Sequence, residues 1–75
     1  MSMFLENNTL TNRELEVLSL LVEGLSNEVI ADRLSITVYT VKHHIANIYE
    51  KLNVHNKVQA AIYAVVHNLV ETKNS

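Results

Sequence analysis

Apolar residues recur along most of the chain at the three- and four-residue spacing of helices that are buried on one side. The first such stretch starts after Thr11, a residue type suited to a helix N-cap, and Glu14 follows three positions later to complete a capping box. Gly24 fits a left-handed cap at the other end. The pattern predicts a first helix between these signals. Its apolar stripe consists of Val17, Leu18, Leu21 and Val22.

A short second helix and a longer fourth helix are predicted in the same way. Ser26 is a suitable N-cap for residues 27–34. The inward positions of this second helix are predicted to be Val29, Ile30 and Leu34. Residues 57–70 form the fourth amphipathic stretch. Its inward stripe is predicted to consist of Val58, Ile62, Val65 and Leu69.

Conflicting signals come from the stretch SITVYTVKHHI, which follows the second helix. Its first half is mainly β-branched or aromatic, which is typical of a strand. From Val41 onward, however, apolar residues recur at spacings of four, three and four as far as Leu52, which is a helical stripe. Because propensity is a weaker guide than periodicity, we predict a third helix from Val38 to about Leu52, with Thr37 as its N-cap.

The composition limits the fold class and excludes several functions. A chain of 75 residues with no proline and one glycine favours one small, all-helical domain over a β-sandwich with many turns. Without cysteine, the chain has neither disulfides nor cysteine metal sites. No apolar run reaches the length of a membrane span, so no membrane association is expected. Because no nucleophile with a placed base and no phosphate-binding loop is evident, we expect neither an enzyme nor a cofactor.

Charge is distributed unevenly along the chain. The net charge of -2 by itself disfavours a nucleic acid partner. Six of the eight acidic residues lie between Glu6 and Asp32, so the front of the chain is acidic. The rear is mildly basic, which weakens the argument from net charge. The fixed charges of residues 36–59 are Lys42, Lys51, Lys57 and Glu50.

The third helix has an outward face that carries polar groups and one small residue. Two short helices joined by a tight turn, the second of which presents such a face, form the layout of a helix-turn-helix, whose second helix lies in the DNA major groove. The hydroxyls of Thr37 and Thr40 and the helix N-terminal amides suit phosphates. We expect no metal site at the two adjacent histidines, because neighbours on a helix point about 100° apart. The outward face consists of Tyr39, Lys42, His43, Ala46, Asn47 and Glu50.

Several of these side chains also have a plainer interpretation. Lys42 and Tyr39 are also interpretable as ordinary solvated surface residues, and His44 as a residue that packs toward the core.

The chain resembles a known family over residues 10–69. The matching residues run in order through LTNRELEVLSLLVEGLSNEVIADRLSITVYTVKHHIANIYEKLNV, which is similar to the LuxR-type (GerE-type) helix-turn-helix domain of bacterial transcription regulators. The resemblance implies a four-helix bundle with a central helix-turn-helix at about residues 27–46 and a recognition helix at about residues 38–52. It also implies binding to double-stranded DNA as a homodimer through the fourth helix. RNA polymerase and an upstream receiver or sensor domain are further partners that it allows.

The resemblance assigns roles to individual positions. It implies that Lys42, His43 and Ala46 face the groove, and that Thr40 and Lys51 lie near the DNA backbone. Together with the outward face and Lys57, which stands where arginine is common, the DNA-contacting set is predicted to be Thr37, Tyr39, Thr40, Lys42, His43, Ala46, Asn47, Lys51 and Lys57. The dimer face is predicted to be Ala60, Tyr63, Ala64 and His67, for which an ordinary alanine-rich surface is the plainer interpretation.

Two positions in the second helix depart from the family pattern, which usually has Lys-Glu there. Glu28 is expected to repel phosphate, and Val29 cannot complete a capping box with Ser26. Both changes predict a weaker attraction to the DNA backbone than in a typical member, with strong dependence on salt.

We therefore predict a cytoplasmic, sequence-specific DNA-binding domain of a bacterial transcription regulator. It is predicted to span residues 10–70, between a flexible arm at residues 1–9 and a polar tail at residues 71–75. The alternative is a helix-turn-helix module for protein interaction that does not bind DNA, which Glu28 and the net acidity favour. Met1 and the arm fit either a complete protein or an excised C-terminal domain.

Overall fold

Four α-helices and their connections make up the part of the chain that the computed structural model describes, residues 9–70. The helices are α1 (Asn12–Val22), α2 (Asn27–Leu34), α3 (Val38–Leu52) and α4 (Lys57–Val66). Residues 9–70 contain no strand, so the all-helical prediction is confirmed and the β-branched start of α3 is helical. The predicted arm, apart from Thr9, and the predicted tail lie outside the described residues. No helix in this range is long and apolar enough to cross a bilayer.

Every helix begins at a side-chain cap. Thr11 and Glu14 form the predicted capping box, in which Thr11 Oγ1 accepts from Glu14 N and Glu14 Oε1 accepts from Thr11 N, each at 3.0 Å. Ser26 caps α2 through one bond only, at 3.2 Å from Val29 N, because Val29 cannot return the second. The two remaining caps are Thr37 for α3 and Asn56 for α4.

The turn between α2 and α3 is only three residues long and contains no glycine. Ser35 adopts the left-handed region (φ 59°), which costs a residue with a side chain about 1 kcal/mol. Two backbone hydrogen bonds hold it there: Ser35 N donates to Asp32 O at 3.3 Å, and Ile36 N donates to Ala31 O at 2.9 Å. This pair of bonds is that of a Schellman motif, and it ends α2 abruptly enough for α3 to start at Val38.

The core consists of two clusters that α1 and α3 share. The turn cluster joins the C-terminal end of α1 to α2 and to the N-terminal half of α3. The main cluster joins α1 to the C-terminal half of α3 and to α4. The turn cluster is Leu21, Ile30, Ala31 and Val41. The main cluster is Leu10, Val17, Leu18, Ile48, Leu52, Ala60 and Ala64.

The predicted inward stripe of α3 is confirmed, because Val41 and Ile48 are fully buried and Leu52 nearly so. The predicted stripe of the fourth helix is wrong at three of its four positions; the fourth, Leu69, lies beyond the end of α4 at Val66 and is partly buried against the main cluster. Ala60 and Ala64 are the buried residues of this helix. The valines and the isoleucine predicted to face inward are exposed instead: Val58 (66%), Ile62 (58%) and Val65 (41%).

A close approach of α4 to its neighbours explains the choice. Alanine at the contact lets the backbone of α4 lie close to the residues of α1 and α3 in the main cluster, where a branched side chain would hold it away. The inward position predicted for Val29 in α2 is also wrong, since 41% of this residue is exposed. Its helix contacts the core through Ile30 and Ala31.

Candidate nucleic-acid interface

The N-terminal half of α3 presents an outward face of exposed side chains on a fixed support. Tyr39 is 80% exposed, and Lys42, His43 and Ala46 are exposed beside it. Val41, on the opposite side of the same turns, is completely buried in the turn cluster. Because that anchor fixes the rotation of the helix about its own axis, the direction of the outward face is fixed as well.

Two hydroxyls are held together where α3 begins. Thr37 Oγ1 accepts from Thr40 N at 3.0 Å, and the two threonine hydroxyls lie 2.9 Å apart. Thr37 is exposed and Thr40 is half-buried. The first turn of α3 therefore offers hydroxyl groups and the positive end of the helix dipole at one place, a combination that suits an anion such as a DNA phosphate.

The adjacent histidines point in different directions. The ring centroids of His43 and His44 are 6.4 Å apart, and the rings are inclined by 54°. His43 is exposed, whereas His44 is half-buried, as is Asn47. His43 thus belongs to the outward face, and His44 and Asn47 lie at its margins. Within residues 9–70 no group of three side chains is arranged to hold a metal ion.

Lys51 has a partner inside the protein that the sequence analysis did not foresee. Its ammonium lies 2.8 Å from Glu14 Oε1 and 3.4 Å from the backbone carbonyl of Thr9. The carboxylate side chain of Glu14 is only 5% exposed, against 28% for that of Lys51. The ammonium neutralises a buried charge that also closes the capping box of α1, so Lys51 has a structural role in the fold, and its contact with the DNA backbone stays a prediction.

The charge state of Glu14 follows from these contacts. Burial raises the pKa of a carboxylate, but the hydrogen bonds from Lys51 and Thr11 and the positive charge of Lys51 outweigh it. The net result is a Glu14 pKa below its ordinary value. Glu14 is therefore ionised at neutral pH and accepts from both neighbours.

The remaining predicted DNA contact and the two departures lie at helix N-termini. Lys57 is the first residue of α4 and is exposed, next to a loop in which His55 N donates to Gln59 Oε1 at 2.8 Å. Glu28 is exposed in the first turn of α2, with Val29 beside it. The two helix starts thus carry opposite charges.

The predicted dimer face is corrected by the burial of its two alanines. Ala60 and Ala64 are enclosed in the main cluster and cannot contact another molecule. Tyr63 is half-buried and stacks on His67, with ring centroids 4.1 Å apart and an inclination of 20°. The face that α4 turns to solvent is instead apolar. Its large exposed residues are Val58, Ile62, Val65 and Val66.

A signal for this apolar face was present in the sequence. The residues 57–66 hold two stripes at helical spacing, one of large and one of small apolar residues, and either could face the core. The small stripe is the one that permits a close crossing of helices, and the structure places it inside.

Comparison with known proteins gives a consistent result. Residues 8–64 match the family model described as bacterial regulatory proteins, luxR family. The response regulator protein VraR of Staphylococcus aureus (strain Mu3 / ATCC 700698) is 50% identical over 62 residues, which are 83% of this chain and 30% of VraR. VraR of Staphylococcus epidermidis (strain ATCC 35984 / DSM 28319 / BCRC 17069 / CCUG 31568 / BM 3577 / RP62A) matches to the same extent. The chain thus spans about 30% of the length of these curated relatives.

A solved structure is similar over nearly its whole length. The structure of the transcription factor GerE matches with a TM-score of 0.77 and 35% sequence identity. The match covers 83% of this chain and 92% of the GerE chain.

Proposed function

The chain belongs to the luxR family of bacterial regulatory proteins, and we propose that it binds duplex DNA through the N-terminal half of α3 to regulate transcription. The observation that carries the proposal is the outward face of α3, in which Tyr39, Lys42 and His43 are exposed on a helix that Val41 anchors in the core. This helix follows a three-residue turn after α2, which is the arrangement in which a helix-turn-helix inserts its second helix into the major groove.

The side chains divide into two kinds of contact. Lys42, His43 and Ala46 face the base edges, with Asn47 at the margin of the same surface. Thr37, Tyr39 and Thr40 meet the phosphates at the start of α3, and Lys57 meets them at the start of α4. Lys51 takes no direct part, because Glu14 holds its ammonium.

Electrostatics makes a single copy of the domain a weak binder. The outward face of α3 carries one fixed cation, Lys42. Exposed carboxylates lie nearby in the helix-turn-helix, Glu28 on α2 and Glu50 on α3. Counterion release from so few phosphate contacts supplies little affinity, and the salt dependence of that affinity is correspondingly shallow. Two copies on two half-sites about one helical turn apart double the contacts, so we propose that the chain binds as a homodimer.

The dimer contact in this proposal is the exposed apolar face of α4. Val58, Ile62 and Val66 present branched side chains to solvent, and a two-fold axis brings the same face of a second copy against them. Changing Ile62 to Glu is expected to leave only monomers in sedimentation experiments. Val29→Glu is the matched control, because it adds the same charge at an exposed apolar position of another helix. Dimers that persist in the Ile62 variant would exclude α4 as the contact.

The experiment that tests DNA binding is selection of bound duplexes from a random pool, followed by gel-shift titration at two salt concentrations. We expect an enriched half-site motif, with affinity that falls as salt rises. Lys42→Gln is expected to weaken binding, whereas Arg33→Gln, which removes one charge from an exposed position of α2 beside α1, is expected to have little effect. Absence of any bound duplex at low salt would contradict the proposal and favour the alternative, a module for protein interaction.

The proposal places the chain in the bacterial cytoplasm, where it has access to the chromosome. Contact with RNA polymerase, or its exclusion from a promoter, would convert binding into regulation. Relatives named response regulators are more than three times as long as the matched region, so an upstream receiver domain is part of the proposal for a longer form of this protein.

A further inference from the structure

Ala46 differs from every other exposed residue of α3 in having no polar atom in its side chain. The others are Tyr39, Lys42, His43 and Glu50. Ala46 lies in the middle of them, with Lys42 one turn before it and Glu50 one turn after it on the same side of the helix. The outward face therefore has a shallow apolar depression with charged groups on both sides.

The chemical groups on the base edges of the major groove differ in how well they pack against such a depression. Each base pair presents hydrogen-bonding atoms there, and the methyl group at C5 of thymine is the single apolar group among them. A polar edge pressed against the Cβ of Ala46 would lose its water without gaining a partner, which is unfavourable. A thymine methyl loses no hydrogen bond and gains an apolar contact.

We infer that Ala46 reads the C5-methyl group of a thymine in each half-site, an inference that rests on the proposed function. The group that contacts Ala46 is a base edge rather than a phosphate, because the exposed carboxylate of Glu50, one turn away, repels the DNA backbone.

The neighbour of Ala46 sets the context of this thymine. Lys42 precedes it by four positions, about 6 Å along the helix axis, and base pairs stack at about 3.4 Å. Because a recognition helix lies at an angle to the DNA axis, the two side chains face neighbouring base pairs, about one to two steps apart. Because a lysine ammonium donates best to O6 and N7 of guanine, the half-site is expected to contain a guanine about one to two steps from the thymine.

The test removes the methyl group from the DNA and the alanine from the protein, separately and together. In the selected half-site each thymine is replaced in turn by deoxyuridine, which lacks only the methyl group. At one position we expect the wild-type chain to lose affinity about three- to five-fold, the effect of one buried methyl group. For Ala46→Gly, thymine and deoxyuridine at that position are expected to bind equally, while replacement of other thymines affects both proteins alike.

A second variant guards against a weakened helix. Ala46→Ser keeps the Cβ atom and adds only a hydroxyl, so its selected motif is expected to lose the preference for thymine at that position and keep the remaining bases. Equal loss with deoxyuridine in the wild-type chain and in Ala46→Gly, or no loss at any thymine, would overturn the inference while DNA binding stands. If no duplex is selected at all, the proposed function itself fails.

Discussion

Lys42 and Lys51 are the same residue type on the same helix, but the structure gives them opposite surroundings. Lys42 lies over the turn cluster, exposed and with no ion pair or hydrogen bond to any of residues 9–70. Lys51 lies at the other end of α3, beside the main cluster, where its ammonium contacts Glu14 and the carbonyl of Thr9. In the sequence both count equally as positive charges in the basic rear of the chain.

The comparison shows that a charged side chain is most available to a ligand where it forms no ion pair inside the protein. A buried carboxylate without a partner is strongly unfavourable, so the ion pair with Glu14 holds the ammonium of Lys51 in place. Lys42 has no buried carboxylate to neutralise. We therefore propose that the N-terminal end of α3 serves recognition and the C-terminal end serves attachment to the rest of the fold, and the predictions below separate these two roles.

The largest expected effect is on stability. Lys51→Met leaves the carboxylate of Glu14 buried and unpaired, and we expect it to lower the free energy of unfolding by about 2–3 kcal/mol, somewhat less than for a fully buried pair because Lys51 is partly exposed. Lys42→Met removes the same charge from the surface and is expected to change it by less than about 0.5 kcal/mol. Urea denaturation measures both. Equal losses would mean that the two ends of α3 are not different.

The next largest effect is on DNA affinity, for which the substitution of Lys42 is expected to matter more than that of Lys51. Lys42→Met is expected to weaken binding about five- to ten-fold and to lower the slope of log K against log salt by about one phosphate contact if the ammonium contacts phosphate. If it donates to a guanine, discrimination at one base pair falls instead. Lys51→Met, measured at a temperature at which it remains folded, should keep the wild-type salt slope. A lowered slope for Lys51→Met would return this lysine to the DNA interface.

A smaller effect on DNA affinity is expected from a substitution of Glu28, which tests whether the start of α2 lies near the DNA backbone. Glu28→Lys replaces an exposed carboxylate in the first turn of α2 and is expected to strengthen DNA binding a few-fold at low salt, with a steeper salt dependence. Glu16→Lys, the same change at an exposed position of α1, is the matched control. Identical gains for both variants would show a general effect of net charge rather than proximity of α2 to the DNA backbone.

The smallest effect concerns pH and sharpens the account of the attachment end. Because the pKa of Glu14 is lower in the folded chain, its stabilising contribution is complete above the ordinary glutamate pKa of about 4.3 and is lost as pH falls below that value through the folded pKa. In Lys51→Met the ammonium no longer opposes the effect of burial, and only the hydrogen bonds from Thr11 still lower the pKa of Glu14, so the loss of stability on acidification should be smaller than in the wild-type chain. Denaturation midpoints between about pH 3 and 6 for both proteins measure this; parallel curves would exclude the pair as the cause.

The two long helical stripes show how far sequence patterns carry. In α3, only one side is apolar over its whole length, so Val41, Ile48 and Leu52 could be assigned to the core and Tyr39 and His43 to the surface. In α4, both sides are apolar, and the assumption that large residues are buried led to the wrong face. Periodicity finds a stripe, but how closely two helices approach determines whether valine or alanine fits between them.

The sequence by itself determined the four helices, the N-caps of the first three and the outward face of α3, because these depend on neighbours within a few positions along the chain. Only the tertiary structure decided which face of α4 is buried and which lysine of α3 remains available. Both depend on groups distant in sequence: Ala64 lies in the same core cluster as Leu18, and the ammonium of Lys51 contacts Glu14 of another helix. Such contacts arise from packing in three dimensions, and no local spacing of residues encodes them.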